Sequence, residues 1–207
     1  MFLSRMNVKK ILSVAASTIK LFIIILLFNS NSKAEEKNIK YYSDDRGILS
    51  LMYHRFNENK YPSTNIQMNI FKQQIIIIKD LKYNFYNPKD LEKKFLTPAT
   101  EKKILITIDD AFSSFYEVAW PYLKEENIPF ILFVSTKSVG RNGYMTWNQI
   151  KELEKENIVY IGNHSHSHNY LVDLNNEEFI SYIDTSSSIF KERLGYNPIF
   201  FSKSFGL

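Results

Sequence analysis

The sequence predicts an α/β fold built on a parallel sheet or barrel, and three observations carry that prediction. Short apolar runs alternate with longer stretches of helical periodicity, as βα units require. The 207 residues are 44% apolar and 15% aromatic, enough for one sizeable core and too apolar for wholesale disorder. Polar clusters also recur just past three apolar runs: His54, Asp109-Asp110, and His164-Ser-His166-Ser-His168. In parallel βα architectures the C-terminal ends of the strands share one rim, where sites are built.

Residues 1–34 hold Arg5, Lys9, Lys10, Lys20 and Lys33 and no acid, with the apolar run Leu21–Phe28 followed by Ser32-Lys33-Ala34. Charged, apolar and small-residue regions in that order read as a secretory signal ending at Ala34. An uncleaved anchor over residues 11–28, tethering the chain to a membrane, is the rival reading. Lys20 interrupts that stretch, and a spanning helix needs about 20 apolar residues. On either reading the rest of the chain is expected across the inner membrane, in the periplasm or cell envelope. Residues 35–46 form a polar lead, and residues 47–207 the folded domain.

Within that domain, strands are expected at Gly47–Tyr53, Ile104–Ile108, Phe130–Val134, Ile158–Ile161 and Pro198–Phe201, with a short one at Tyr83–Tyr86. Helical patterns run over Asn69–Leu81, Ser113–Glu125, Trp147–Glu156 and Glu177–Leu194. The last has Phe179, Ile183, Phe190 and Leu194 on one face, Asn175 or Asn176 as N-cap, and Gly195 just past its end.

Charge and cysteine content narrow the function. The formal net charge is +4, but residues 35–207 carry 21 basic and 22 acidic side chains. The basicity belongs to the N-terminus alone, so nucleic-acid binding is excluded. There is no Cys, which removes disulfides, thiolate metal sites and Cys nucleophiles together. A metal here must sit on His and carboxylates.

Three of the four His lie within five residues. His164 and His168 share a face on a helical turn, and all three share one on a strand; both patterns suit a divalent metal. A solvated Ser-rich loop is the plainer reading of the same residues. Asp109-Asp110 closes an otherwise apolar strand, where two adjacent carboxylates are costly without a cation or hydrogen bonds. One division of labour puts a carboxylate on the metal and leaves its neighbour as general base. An N-cap for the helix near Ser113 accounts for only one of them.

The runs Ile106-Thr-Ile-Asp-Asp-Ala111 and Ile161-Gly-Asn-His-Ser-His-Ser-His168 resemble the motifs T-F-D-D-G and H-[ST]-x-x-H of the polysaccharide deacetylases, the NodB-homology or carbohydrate esterase 4 group. The likeness extends from Ile48 to Gly206 and takes in Pro129–Val134 and Tyr144–Trp147. It implies a distorted (β/α) barrel, with Asp109 as general base and Asp110, His164 and His168 holding a divalent metal, Zn²⁺ first among candidates. His166, at a variable motif position, is not expected to be a ligand. Leu51-Met-Tyr-His54-Arg-Phe56 resembles the N-terminal segment of the circularly permuted branch that acts on poly-β-1,6-N-acetylglucosamine, where an early His is the general acid. That implies the role for His54; a strand-end His bonded to a carbonyl is the alternative. The implied activity is metal-dependent removal of N-acetyl groups from an N-acetylglucosamine polymer, an N-acetylated glycan being the partner.

The chain departs from the family pattern in places. Ala111 stands where the family has Gly and Ile108 where it usually has Phe. The segment Phe201-Ser-Lys-Ser-Phe-Gly206 stands against F-x-Y-P-[FY]-G or R-P-P-Y-G, with Ser204 for Pro and no Arg to orient the base. The chain stops at Leu207, where a sixth strand would end, whereas the family barrel has about seven strands, leaving an edge. A truncated reading frame and an incomplete barrel are therefore expected. The rival function is a catalytically silent relative that at most binds cell-envelope glycan.

Overall fold

The computed structural model describes residues 48–90 and 102–203, all within the compact unit Asp44–Leu207. The signal or anchor over residues 1–34, the polar lead and the end of the last motif from Ser204 lie outside the described residues. Among the described residues no helix is long and apolar enough to cross a membrane.

The central strand is β5 (Lys103–Asp109), paired in parallel with β1 (Ile48–Tyr53), β4 (Asn84–Phe85) and β6 (Phe130–Val134). Strand β7 (Val159–Asn163) continues the sheet beside β6, again in parallel. Every residue of β6 is buried, as are all of β5 after Lys103. Strands covered on both faces read as continuous apolar runs, which is why these two were visible in the sequence. Alternation divides their side chains. Ile104, Ile106, Ile108, Phe130, Leu132 and Val134 join the main core, and Leu105, Ile131 and Phe133 form a smaller cluster.

Helix α1 (Met68–Asp80) buries Phe71, Ile75 and Ile78, at helical spacing, in the main core. The expected helix over Ser113–Glu125 is split: a π-turn (Phe115–Ala119) leads into α2 (Trp120–Glu125). Trp120 N–H reaches back to Phe115 O, and Pro121 then has no N–H to donate, so tight bonding cannot run through this point. Helix α3 (Trp147–Glu154) starts with a capping box between Thr146 and Gln149 and ends two residues before the expected Glu156. Helix α4 (Asn176–Leu194) is capped by Asn175 with Glu178 and stops at Gly195, whose φ of +87° favours glycine.

Three expectations need correction. A two-residue parallel pair, β2 (Arg55–Phe56) with β3 (Asn65–Ile66), was not foreseen, because two residues carry no period. The strand expected at Pro198–Phe201 is a single parallel bridge from Phe201 to Asn163. On α4 the buried residues are Ser186 and Phe190, while Phe179 is 40% exposed. The inward face of this helix is therefore partly polar. The architecture is mixed α/β around a parallel sheet.

Candidate metal centre

Asp109 is the last residue of β5, still in register with Phe133 of β6. Beyond it Asp110 and Ala111 turn the chain with φ of +71° and +55°. Two successive left-handed residues without glycine are strained, and surrounding contacts must hold them. Met145 N–H donates to Ala111 O at 2.9 Å, Ser113 N–H donates to Gly143 O at 2.9 Å, and Ala111 is buried. The turn aims the Asp110 carboxylate at the end of β7.

There the backbone of Asn163 is bonded to Phe200 O and to the N–H of Ser202. His164, 2% exposed, follows with its N–H on Val134 O at 3.0 Å. Its Nδ1 lies 2.9 Å from Ser202 O. A carbonyl only accepts, so Nδ1 carries the proton and the Nε2 lone pair faces Asp110. Burial holds the pKa of His164 below its usual value against the opposing pull of Asp110, which favours the neutral, ligating ring.

The three ligand-bearing atoms converge. Asp110 Oδ1 is 3.7 Å from His164 Nε2 and 3.5 Å from His168 Nε2. Ligand atoms from all three residues lie within 4.8 Å of one another. A tetrahedral ion with ligands at ~2.0–2.1 Å sets neighbouring ligands roughly 3.4 Å apart, so this donor set fits a small divalent cation. Two imidazoles and a carboxylate leave a further position open.

Asp109 lies beside this set, with Oδ2 3.8 Å from His164 Nε2. Ser202 Oγ donates to Oδ2 in a long bond of 3.4 Å, while Oδ1 is buried without a hydrogen-bond partner among the described residues. Burial, then the adjacent Asp110 charge, pushes the Asp109 pKa up to about 7, with the Ser202 bond pulling the other way. His54 is half-buried directly after β1. Burial lowers its pKa, Asp110 raises it, and His168 and Arg55 lower it, so it shares the field of the cluster. Next to it the Arg55 guanidinium sits 3.4 Å from the Phe112 ring centroid and 4.0 Å from that of Tyr61, and donates to Glu58 at 2.7 Å.

The structure thus gathers Asp109, Asp110, His164 and His168 at one rim and puts His54 within their electrostatic reach. His166 is engaged elsewhere: its Nδ1 is 2.9 Å from Thr136 Oγ1, and its carbonyl accepts from Lys137 N–H and Ser135 Oγ. Sequence reasoning missed the supports. Ser202 bonds both Asp109 and His164, although its segment lacks the expected Arg. Asn163 Oδ1 accepts from Ser165 N–H at 2.8 Å, and its Nδ2 donates to Ser186 Oγ at 2.9 Å. Tyr182 Oη accepts from the N–H groups of Ser167 and Asn169. Burial raises the Tyr182 pKa, but its hydrogen bonds outweigh that and the net shift is downward. The spacing Tyr182, Ser186, Phe190 at i, i+4, i+8 was the one signal available for this face.

Residues 97–207 match the family described as polysaccharide deacetylase. Two curated relatives share parts of the chain. A Bacillus subtilis (strain 168) protein bearing that family name, YxkH, is 28% identical over 142 residues, 68% of this chain and 50% of that protein. The poly-β-1,6-N-acetyl-D-glucosamine N-deacetylase of Staphylococcus epidermidis is 23% identical over 195 residues, 84% of this chain and 66% of that protein. The chain therefore spans about half to two thirds of the length of these relatives. Among solved structures, IcaB from Ammonifex degensii superposes with a TM-score of 0.70 at 27% identity, covering 78% of this chain and 76% of that one.

Proposed function

The chain belongs to the polysaccharide deacetylase family, and from that premise we propose that it hydrolyses the N-acetyl groups of an N-acetylglucosamine polymer. The observation that carries the proposal is the convergence of Asp110, His164 and His168 beside a buried carboxylate, Asp109, whose Oδ1 has no hydrogen-bond partner among the described residues. The β-1,6-linked polymer is the substrate we favour, because the Staphylococcus epidermidis relative is named for it.

Asp110, His164 and His168 would hold a divalent cation, Zn²⁺ by the imidazole-rich donor set, which when bound supplies Lewis acidity toward the acetamide carbonyl. The chain's own groups handle the protons. Asp109 Oδ1 takes a proton from the attacking water as the new C–O bond forms. Burial and the adjacent Asp110 charge both raise its pKa above the usual carboxylate range, which makes it basic enough for that role. As the C–N bond breaks, His54 gives a proton to the departing sugar nitrogen. Burial lowers the His54 pKa and the Asp110 charge offsets this only in part, so His54 has to take up that proton before the C–N bond breaks. The products are acetate and a glucosamine residue.

The test is acetate release from N-acetylglucosamine oligomers by the full chain, with and without added Zn²⁺, beside Asp109→Asn. We expect Zn²⁺-dependent release that falls about 10²–10⁴-fold in the variant. No release from folded, metal-loaded protein overturns the proposal.

A further inference from the structure

We propose that Tyr182 of α4 is a positioning residue for the cation-binding loop, setting His168 through its phenolic oxygen. The inference rests on the metal reading above. His168 is the less buried of the two ligand imidazoles, with a side chain 27% exposed, and its φ is +58°. A non-glycine residue in that region is held by its surroundings or relaxes away. The backbone N–H groups of the residues before and after His168 supply the handles. Ser167 N–H donates to Tyr182 Oη at 2.7 Å and Asn169 N–H donates to the same oxygen at 2.9 Å. Ser165 Oγ stands 3.3 Å away for the phenol's own proton, and Ser167 Oγ donates to Asn169 Oδ1 at 3.1 Å.

One side-chain oxygen thus gathers the backbone on both sides of a ligand. It comes from a helix that contributes no ligand. Helix α4 is anchored apart from this loop by Phe190, which packs in the core against Trp147. The ring of Tyr182 also lies against His166, with centroids 6.4 Å apart. A phenylalanine keeps that ring and removes only the acceptor, so the oxygen can be tested separately from the packing.

The experiment is Tyr182→Phe in the full chain, with Zn²⁺ alone as probe. Zn²⁺ affinity by competition titration should fall about 10–100-fold, the range for losing a group that orients a ligand. In the metal-free protein, hydrogen exchange of the segment 167–169 should quicken while the sheet strands keep their protection. Phe190→Leu, which loosens the core packing of the same helix and removes none of the hydrogen bonds to residues 163–169, should keep its Zn²⁺ affinity within about twofold. A Tyr182→Phe protein with wild-type affinity and exchange overturns the inference and leaves the proposed function standing. A drop in affinity matched by Phe190→Leu overturns it too, since that is general loosening. A wild-type chain that binds no Zn²⁺ overturns the proposed function and this inference together.

Discussion

At the end of β5 the chain delivers Asp109 from its last sheet-paired residue and Asp110 one step later. At the end of β7 it takes a loop from His164 to His168, tied down by Ser202, Thr136, Ser135 and Tyr182. The carboxylate side is held by backbone and core: a sheet register, the bond from Met145 N–H to Ala111 O, and a buried methyl. The imidazole side is held largely by side-chain hydrogen bonds from other elements. The difference teaches where the site is vulnerable. Point substitutions should leave the β5 end in place and loosen the β7 end.

The largest expected effect lies within the imidazole side and sharpens the contrast. His164 is 2% exposed and pinned at Nδ1, whereas the His168 side chain is 27% exposed. Water can replace an imidazole at the second position far more readily than at the first. His164→Ala should therefore cost more than about 100-fold in Zn²⁺ affinity and His168→Ala about 10–100-fold, read by competition titration. Equal losses would mean that burial does not rank the two ligands.

A smaller effect is expected two residues before the loop begins. A Cβ built on Gly162 would overlap ring atoms Cδ1 and Cε1 of Phe133 and crowd Ile131. Phe133 is buried and its ring neighbours His164, so it has little room to move. Gly162→Ala should cost about 1–3 kcal/mol in urea unfolding, as overpacking does, and weaken Zn²⁺ binding with it. Unchanged stability with unchanged binding would show that β7 does not transmit position to its loop.

This contrast also separates what the sequence disclosed from what it hid. Strands β5 and β6 were legible because doubly covered parallel strands are apolar throughout, and α4 because both caps have sequence signatures. The cluster Asp109, Asp110, His164 and His168 was legible because its residue types are chemically unusual at strand ends. Its supports were not. Ser202, Asn163 and Tyr182 are ordinary polar residues whose role depends on contacts 13 to 93 residues away in sequence, to which local patterns are blind. Phe179 misled for a related reason: helical periodicity gives a face, but not which stripe the sheet end requires.

The smallest expected effect probes the β5 end, where Ala111 occupies a left-handed position that glycine would enter freely. Relieving that backbone should return about 1–2 kcal/mol. Two terms oppose it. The Ala111 methyl is 1% exposed, and removing a buried CH₃-sized group costs about 0.8 kcal/mol. Glycine also widens the unfolded ensemble by about 0.4–1 kcal/mol. The terms nearly cancel, so Ala111→Gly should move the melting temperature by less than about 4 °C in either direction. The bond from Met145 N–H to Ala111 O survives the change, and Asp110 keeps its place. Zn²⁺ affinity should therefore stay within about twofold of wild type. A tenfold loss with little change in stability would reverse the argument, because it would make the alanine methyl, rather than the backbone turn and the sheet register, the element that aims the Asp110 carboxylate.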